Sequence, residues 1–264
     1  MTTRTFLVHG LLAGLLAGVA AFVVAYTVGE PQVDRAIALE SAGATADHHH
    51  EDGATTSGSA SHSHDHGDDA AISRTTQSTL GLATGTLAIG VVLGGLTGLL
   101  SAVGLGRLGR LRPAASTALV ALLGAVSFSV VPFLKYPATP PAVGSGETID
   151  SRTALWFGFV AVSVLGVLAA VAVARWAARR WSGVLGTIAG VTAYVVVVAV
   201  AALAFPKVDE LGGFPASVLW DFRISSLLTL LAMWAVIGAA LTALVDRTWR
   251  RQEAVEAQIG RAHV

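Results

Sequence analysis

Between Asp47 and Asp69 the chain holds six of its eight histidines: His48, His49 and His50 in one run, and His62, His64 and His66 alternating with Ser63 and Asp65 in another. Asp47, Glu51, Asp52, Asp68 and Asp69 surround them. Neutral imidazole is a ligand for zinc, nickel, copper and cobalt, and alternate histidines on a pliable segment can wrap a single ion. Asp65, lying between two of them, adds an anionic oxygen. With no cysteine anywhere, thiolate sites, disulfides and cysteine nucleophiles are excluded, so metal chemistry must rest on imidazole and carboxylate. Selectivity does not follow from such a set. Affinity normally rises from cobalt through nickel to copper, and a solvated spacer that binds metal incidentally is the competing reading.

A second group of charged residues stands beside apolar runs: Glu30 and Asp34, Asp209 and Glu210, and Asp221 with Arg223. The tetrapeptide P-x-V-D occurs twice, at Pro31–Asp34 and Pro206–Asp209. Carboxylates in pairs at a membrane boundary can strip water from a divalent cation and pass it inward, since oxygen ligands suit a partly hydrated ion. We therefore treat Glu30, Asp34, Asp209, Glu210, Asp221 and Arg223 as a candidate ion entry, with Arg223 as a countercharge to one of the acids. Helix capping and surface solvation are the plainer alternative, and for Arg223 the alternative is snorkelling beside an aromatic belt. Lys135 and Tyr136 read as interface anchors.

The elements that carry these groups are membrane spans. The chain is 53% hydrophobic and 13% charged, with a mean hydropathy of +0.67, too apolar for an ordinary soluble domain. Six apolar runs reach the ~20 residues that about 30 Å of hydrocarbon requires. They are Phe6 to Val28, Leu80 to Leu105, Ala114 to Leu134, Thr153 to Ala174, Val184 to Phe205 and Trp220 to Val245. The expected fold is an all-α membrane protein, a single integral domain over 1–264 built as a polytopic bundle of about six transmembrane helices. Gly10, Gly14 and Gly18 recur every four residues on one face of the first span, a spacing that lets another backbone approach closely. The second span is also rich in glycine, at Gly81, Gly85, Gly90, Gly94 and Gly98.

Between the first two spans lies a loop over 29–79. Its His/Asp-rich part, 47–69, is low in complexity and is expected to be disordered unless metal orders it. Its first part is expected to form a short helix starting near Pro31, at the membrane surface, because proline suits a first helical turn. Arginines cluster after spans two and four and at the termini (Arg4, Arg107, Arg110, Arg112, Arg175, Arg179, Arg180, Arg247, Arg250, Arg251), whereas the other side carries Arg35, Arg74, Lys135, Arg152 and Lys207 and most of the acids. The excess of arginine predicts both termini cytoplasmic and the histidines outside.

Several blocks carry a resemblance: GEPQVDRAI after the first span, SRTTQ before the second, PFLKYPATPPAVG from Pro132, and FPKVDE with FPASVLWDFR from Phe205 to Arg223. Together they make the chain similar to the CbtA-type subunits of probable cobalt transporters. The resemblance implies a multi-pass protein of the plasma (inner) membrane that takes up cobalt for corrinoid synthesis, beside a small one-span partner bearing a histidine motif. Cobalt, or nickel or zinc, is then a transported or loosely held ion, with no tightly bound cofactor. Membrane lipid, the ion and that subunit are the expected partners, and nucleic acid is not. No G-x-x-x-x-G-K-[ST], H-E-x-x-H or G-x-S-x-G motif occurs, which leaves an enzyme without its usual signatures. A non-transporting subunit that binds or senses metal and recruits a partner is the alternative function.

Overall fold

The computed structural model describes residues 1–47, 76–109, 111–141 and 143–262. Among them there is no strand, and six helices are long and apolar enough to cross a membrane: Thr3–Ala42, Thr79–Gly104, Pro113–Lys135, Gly146–Arg180, Gly183–Ala204 and Ala216–Ile259. The α-helical elements are α1 (Thr3–Val24), α2 (Glu30–Asp47), α3 (Leu82–Gly104), α4 (Pro113–Gly124), α5 (Val131–Lys135), α6 (Ile149–Arg180), α7 (Gly183–Ala204) and α8 (Ala216–Ala262). The histidines at 48, 49, 50, 62, 64 and 66, and Asp65 among them, lie outside the described residues.

Lipid offers no hydrophobic drive for one helix to bury itself on another, so close packing must hold the bundle together. Glycine supplies it between the first two spans. Gly10, Gly14 and Gly18 of α1 face Gly90, Gly94 and Gly98 of α3, and a Cβ at Gly14 would strike the carbonyl of Gly90 while one at Gly94 would strike that of Gly10. The last span closes this pair. Ala17, Ala21, Leu93, Met233, Trp234 and Ile237 form one buried cluster, and Phe6, Ala13, Leu241 and Val245 a second. The third span joins through Trp234, whose indole Nε1 donates to Ser129 Oγ at 2.8 Å in the interior.

Spans four and five form a hairpin, α6 against α7. Gly186 and Gly190 approach Ala178, Ala174 and Ala170, and Ser163 shares a hydrogen bond of 2.8 Å with the Tyr194 hydroxyl. The hairpin meets the rest of the bundle through aromatic edges, Phe128 on Trp156 and Tyr136 on Phe159. Its other face, including Val184, Ile188, Val195 and Leu203, is exposed, as lipid contact requires.

One helix differs from expectation in how it is connected: a helix does start near Pro31, as α2 from Glu30, but it is not separate from the first span. The first span runs on through a π-turn, Ala25–Gly29, directly into α2. A proline inside an α-helix lacks the N–H for its ladder bond and collides with the carbonyl four residues back, and a widened turn relieves both. The same device recurs in the third span, where the π-turn Ala125–Val130 precedes Pro132. In each turn a hydroxyl supplies a further donor, Thr27 Oγ1 to the Val23 carbonyl and Ser127 Oγ to that of Leu123, both at 2.7 Å. The segment after Val245 continues α8 through Ala262. Pairs at i,i+4 support it: Arg250 with Asp246 at 2.8 Å and Trp249 Nε1 with Glu253 at 2.7 Å.

Candidate functional site

At the end of the bundle where α2 ends and the second span begins, the α1–α2 junction, the loop after the third span, the start of α6, the loop after α7 and the start of α8 line an open cavity of about 690 Å³. Most of its wall is apolar, with Val33, Leu82, Phe133, Val143, Trp156 and Leu230 among the contributors. Three basic side chains, Lys135, Arg152 and Arg223, and two acidic ones, Glu30 and Glu210, line it.

Lys135, Arg152 and Glu210 are positioned by their neighbours. Lys135, at the end of α5, extends its Nζ to the carbonyls of Ala202 at 2.8 Å and Phe205 at 3.1 Å. Those carbonyls end α7, where the helix dipole is negative, so the ammonium caps the fifth span. Tyr136 follows it and donates its hydroxyl to the Pro206 carbonyl at 2.7 Å. Burial pushes that phenol above the ordinary tyrosine value. Lys135 and Tyr136 thus tie the third span to the end of the fifth, a more specific task than interface anchoring.

Glu210 is an organising acid. Its Oε2 accepts from Thr148 Oγ1 at 3.0 Å and from the Ser145 amide at 3.2 Å, and lies 3.6 Å from Arg152 Nη1. Both partners of the ion pair are about one quarter exposed. Gly144, at φ +96°, lies so close that a Cβ there would run into the Arg152 guanidinium, so the crossing needs a glycine for both conformation and space. Beside the Tyr136–Pro206 bond, this carboxylate joins the loop after the third span to the loop after the fifth.

The proposed entry residues divide. Glu30, Glu210 and Arg223 line the cavity, whereas Asp34, Asp209 and Asp221 are exposed and outside its lining. In each P-x-V-D tetrapeptide it is the valine, Val33 or Val208, that forms wall. Asp221 pairs with Arg35 of α2 at 3.7 Å, at the surface. It does not pair with Arg223, which makes no ion pair or hydrogen bond among the described residues and whose buried Nε has no partner. Nor do any three His, Asp or Glu side chains gather into a metal-binding group among the described residues. Arg152 was not foreseen as a site residue. Its signal was present in the sequence, as one of few cations on the acid-rich side and at the very start of a span.

Four of the five blocks singled out in the sequence meet at this cavity: GEPQVDRAI through Glu30 and Val33, PFLKYPATPPAVG through Phe133, Lys135 and Val143, FPKVDE through Val208 and Glu210, and FPASVLWDFR through Phe222 and Arg223. Segments far apart in the chain build one chamber. Searches of the curated proteins and of the solved structures return no match. A family model described as probable cobalt transporter subunit (CbtA) matches residues 3–246, so the chain, with six helices long and apolar enough to cross a membrane, belongs to the CbtA family of probable cobalt transporter subunits.

Proposed function

We propose that this subunit takes up Co(II) across the plasma membrane for corrinoid synthesis, with the cavity as the chamber that the ion meets after capture by the His/Asp-rich segment. The observation that carries this reading is the convergence of four distant sequence blocks on one cavity, at the end of the bundle where that segment is attached. The arginine clusters near Arg107, Arg180 and Arg250 belong to the opposite end. That distribution supports cytoplasmic termini and an external cavity mouth. Family membership as a subunit supports a partner, for which a small one-span protein bearing histidines is the candidate.

One observation favours a second reading. Among the described residues no ligand triad for a metal exists, as suits a subunit that binds or senses metal through its His segment and leaves permeation to its partner. Uptake of radioactive cobalt into proteoliposomes with a metal-free interior separates the two. Saturable uptake by this chain alone, competed weakly by nickel and zinc, is the expected result. Tight cobalt binding without uptake would support the second reading.

A further inference from the structure

Arg223 is out of keeping with a chamber for bare cations. It projects from the second turn of α8 into a mostly apolar cavity, and neither an ion pair nor a hydrogen bond neutralises it among the described residues. The nearest acid in sequence, Asp221, is engaged by Arg35, and Glu210 is engaged by Arg152, Ser145 and Thr148. Arg152 lines the same cavity and also has a buried Nε without a partner. A guanidinium whose Nε is buried against a mostly apolar wall, with no anion beside it among the described residues, loses part of its hydration, and a counter-anion would offset that cost. Its planar fork fits two oxygens of a carboxylate or phosphate.

We infer that the cavity is an oxyanion site, in which Arg223 takes a carboxylate or phosphate group and Arg152 flanks it. Two sources offer that group: a small soluble oxyanion, including a carboxylate that accompanies a metal ion, or the phosphate of a lipid headgroup reaching in from the surrounding leaflet. Because the ligand is an anion, the site can be tested without metal and independently of cobalt transport. Failure of one reading therefore leaves the other standing.

The test uses the full chain, purified in a neutral detergent and freed of metal. Titration with citrate and with inorganic phosphate at constant ionic strength, followed by calorimetry, reads the soluble source. Nanodiscs of phosphatidylcholine with and without phosphatidylglycerol, followed by native mass spectrometry of retained lipid, read the headgroup source. Saturable binding in at least one arm is expected, weakened tenfold or more in Arg223→Gln and unchanged in Arg107→Gln, which alters a basic turn at the opposite end. Without anion, Arg223→Gln should melt at or above the wild-type temperature, because it removes an unpaired charge. If that variant does not fold, Arg223→Lys decides: loss of the fork should weaken binding at least threefold. Absence of binding in both arms, or equal affinity in the Arg223 variants and wild type, would overturn the inference.

Discussion

Arg152 and Glu210, 58 positions apart in sequence, sit 3.6 Å from each other across the wall of the cavity, and the same Glu210 oxygen also holds Thr148 and the Ser145 amide. Removing the carboxylate frees a half-buried guanidinium and an amide at once. Because Ser145 is exposed and the charged pair is only partly buried, Glu210→Ala should cost about 0.5–1.5 kcal/mol, the usual net range for intramolecular hydrogen bonds. Glu210→Gln keeps an acceptor for Thr148 and Ser145 and should lose about half as much. Unfolding in mixed detergent micelles measures both. An alanine variant as stable as wild type would show that the two loops are held by something else.

Close packing between the first two spans makes a sharper prediction, because one helix contains its own control. A Cβ at Gly94 would meet the backbone of Gly10 and Gly14, whereas one at Gly85 has nothing within 4 Å. Gly94→Ala must push the helices apart, with an expected loss of about 1–3 kcal/mol or more. Gly85→Ala should be neutral or stabilising by up to about 1 kcal/mol, since it only removes backbone freedom. Equal unfolding midpoints for the two variants would refute the observed packing.

Lys135 is expected to matter through the fifth span rather than through cobalt. Its Nζ holds the carbonyls of Ala202 and Phe205, and methionine there keeps the stem but strands both. Lys135→Met should lower stability by about 1–2 kcal/mol, in line with the loss of hydrogen bonds from a charged donor, and arginine should restore part of it. Hydrogen exchange localises the effect, with faster exchange expected in the last turn of α7 and none in α1.

What the sequence made legible follows from which forces are local. Apolar run length fixes a span residue by residue, so all six were found, and the four-residue spacing of Gly10, Gly14 and Gly18 announced a close helix contact. Their partners in the second span were listed without being matched, because pairing depends on helix rotation and depth, which a single pattern does not encode. Proline's preference for a first helical turn is local and placed the start of α2 near Pro31, whereas the π-turn that joins α2 to the first span left no signal in the residue pattern. The candidate entry residues were drawn from their place beside the spans. That placement could not distinguish Glu30 and Glu210, which line the cavity, from Asp34 and Asp209, which lie outside its lining. Arg223 was chosen as a countercharge to a nearby acid, and the acid was claimed by Arg35 instead.

The His/Asp-rich segment supplies a test of capture as distinct from passage. If it gathers ions for the chamber, deleting residues 47–69 should reduce cobalt uptake several-fold at limiting cobalt and leave the maximal rate intact at saturating cobalt. A passive spacer predicts identical curves at both. Loss of rate at saturation would assign the segment to the permeation step itself.

The exposed aspartates outside the cavity lining can act on a cation in two ways, and salt tells them apart. As direct ligands, Asp34 and Asp209 would contribute short-range bonds that added salt barely weakens. As a negative rim they would raise the local concentration of a divalent ion through a field that decays over a Debye length, about 10 Å at 0.1 M and 3 Å at 1 M. Their exposure, together with their absence from the cavity wall, favours the rim. Joint Asp34→Asn and Asp209→Asn replacement should therefore raise the KM for cobalt a few-fold in 10 mM salt, with little change in kcat, and the difference from wild type should vanish near 0.5 M. A deficit of the same size at both salt concentrations would make the two carboxylates ligands after all. Unaltered kinetics in 10 mM salt would remove them from ion entry altogether.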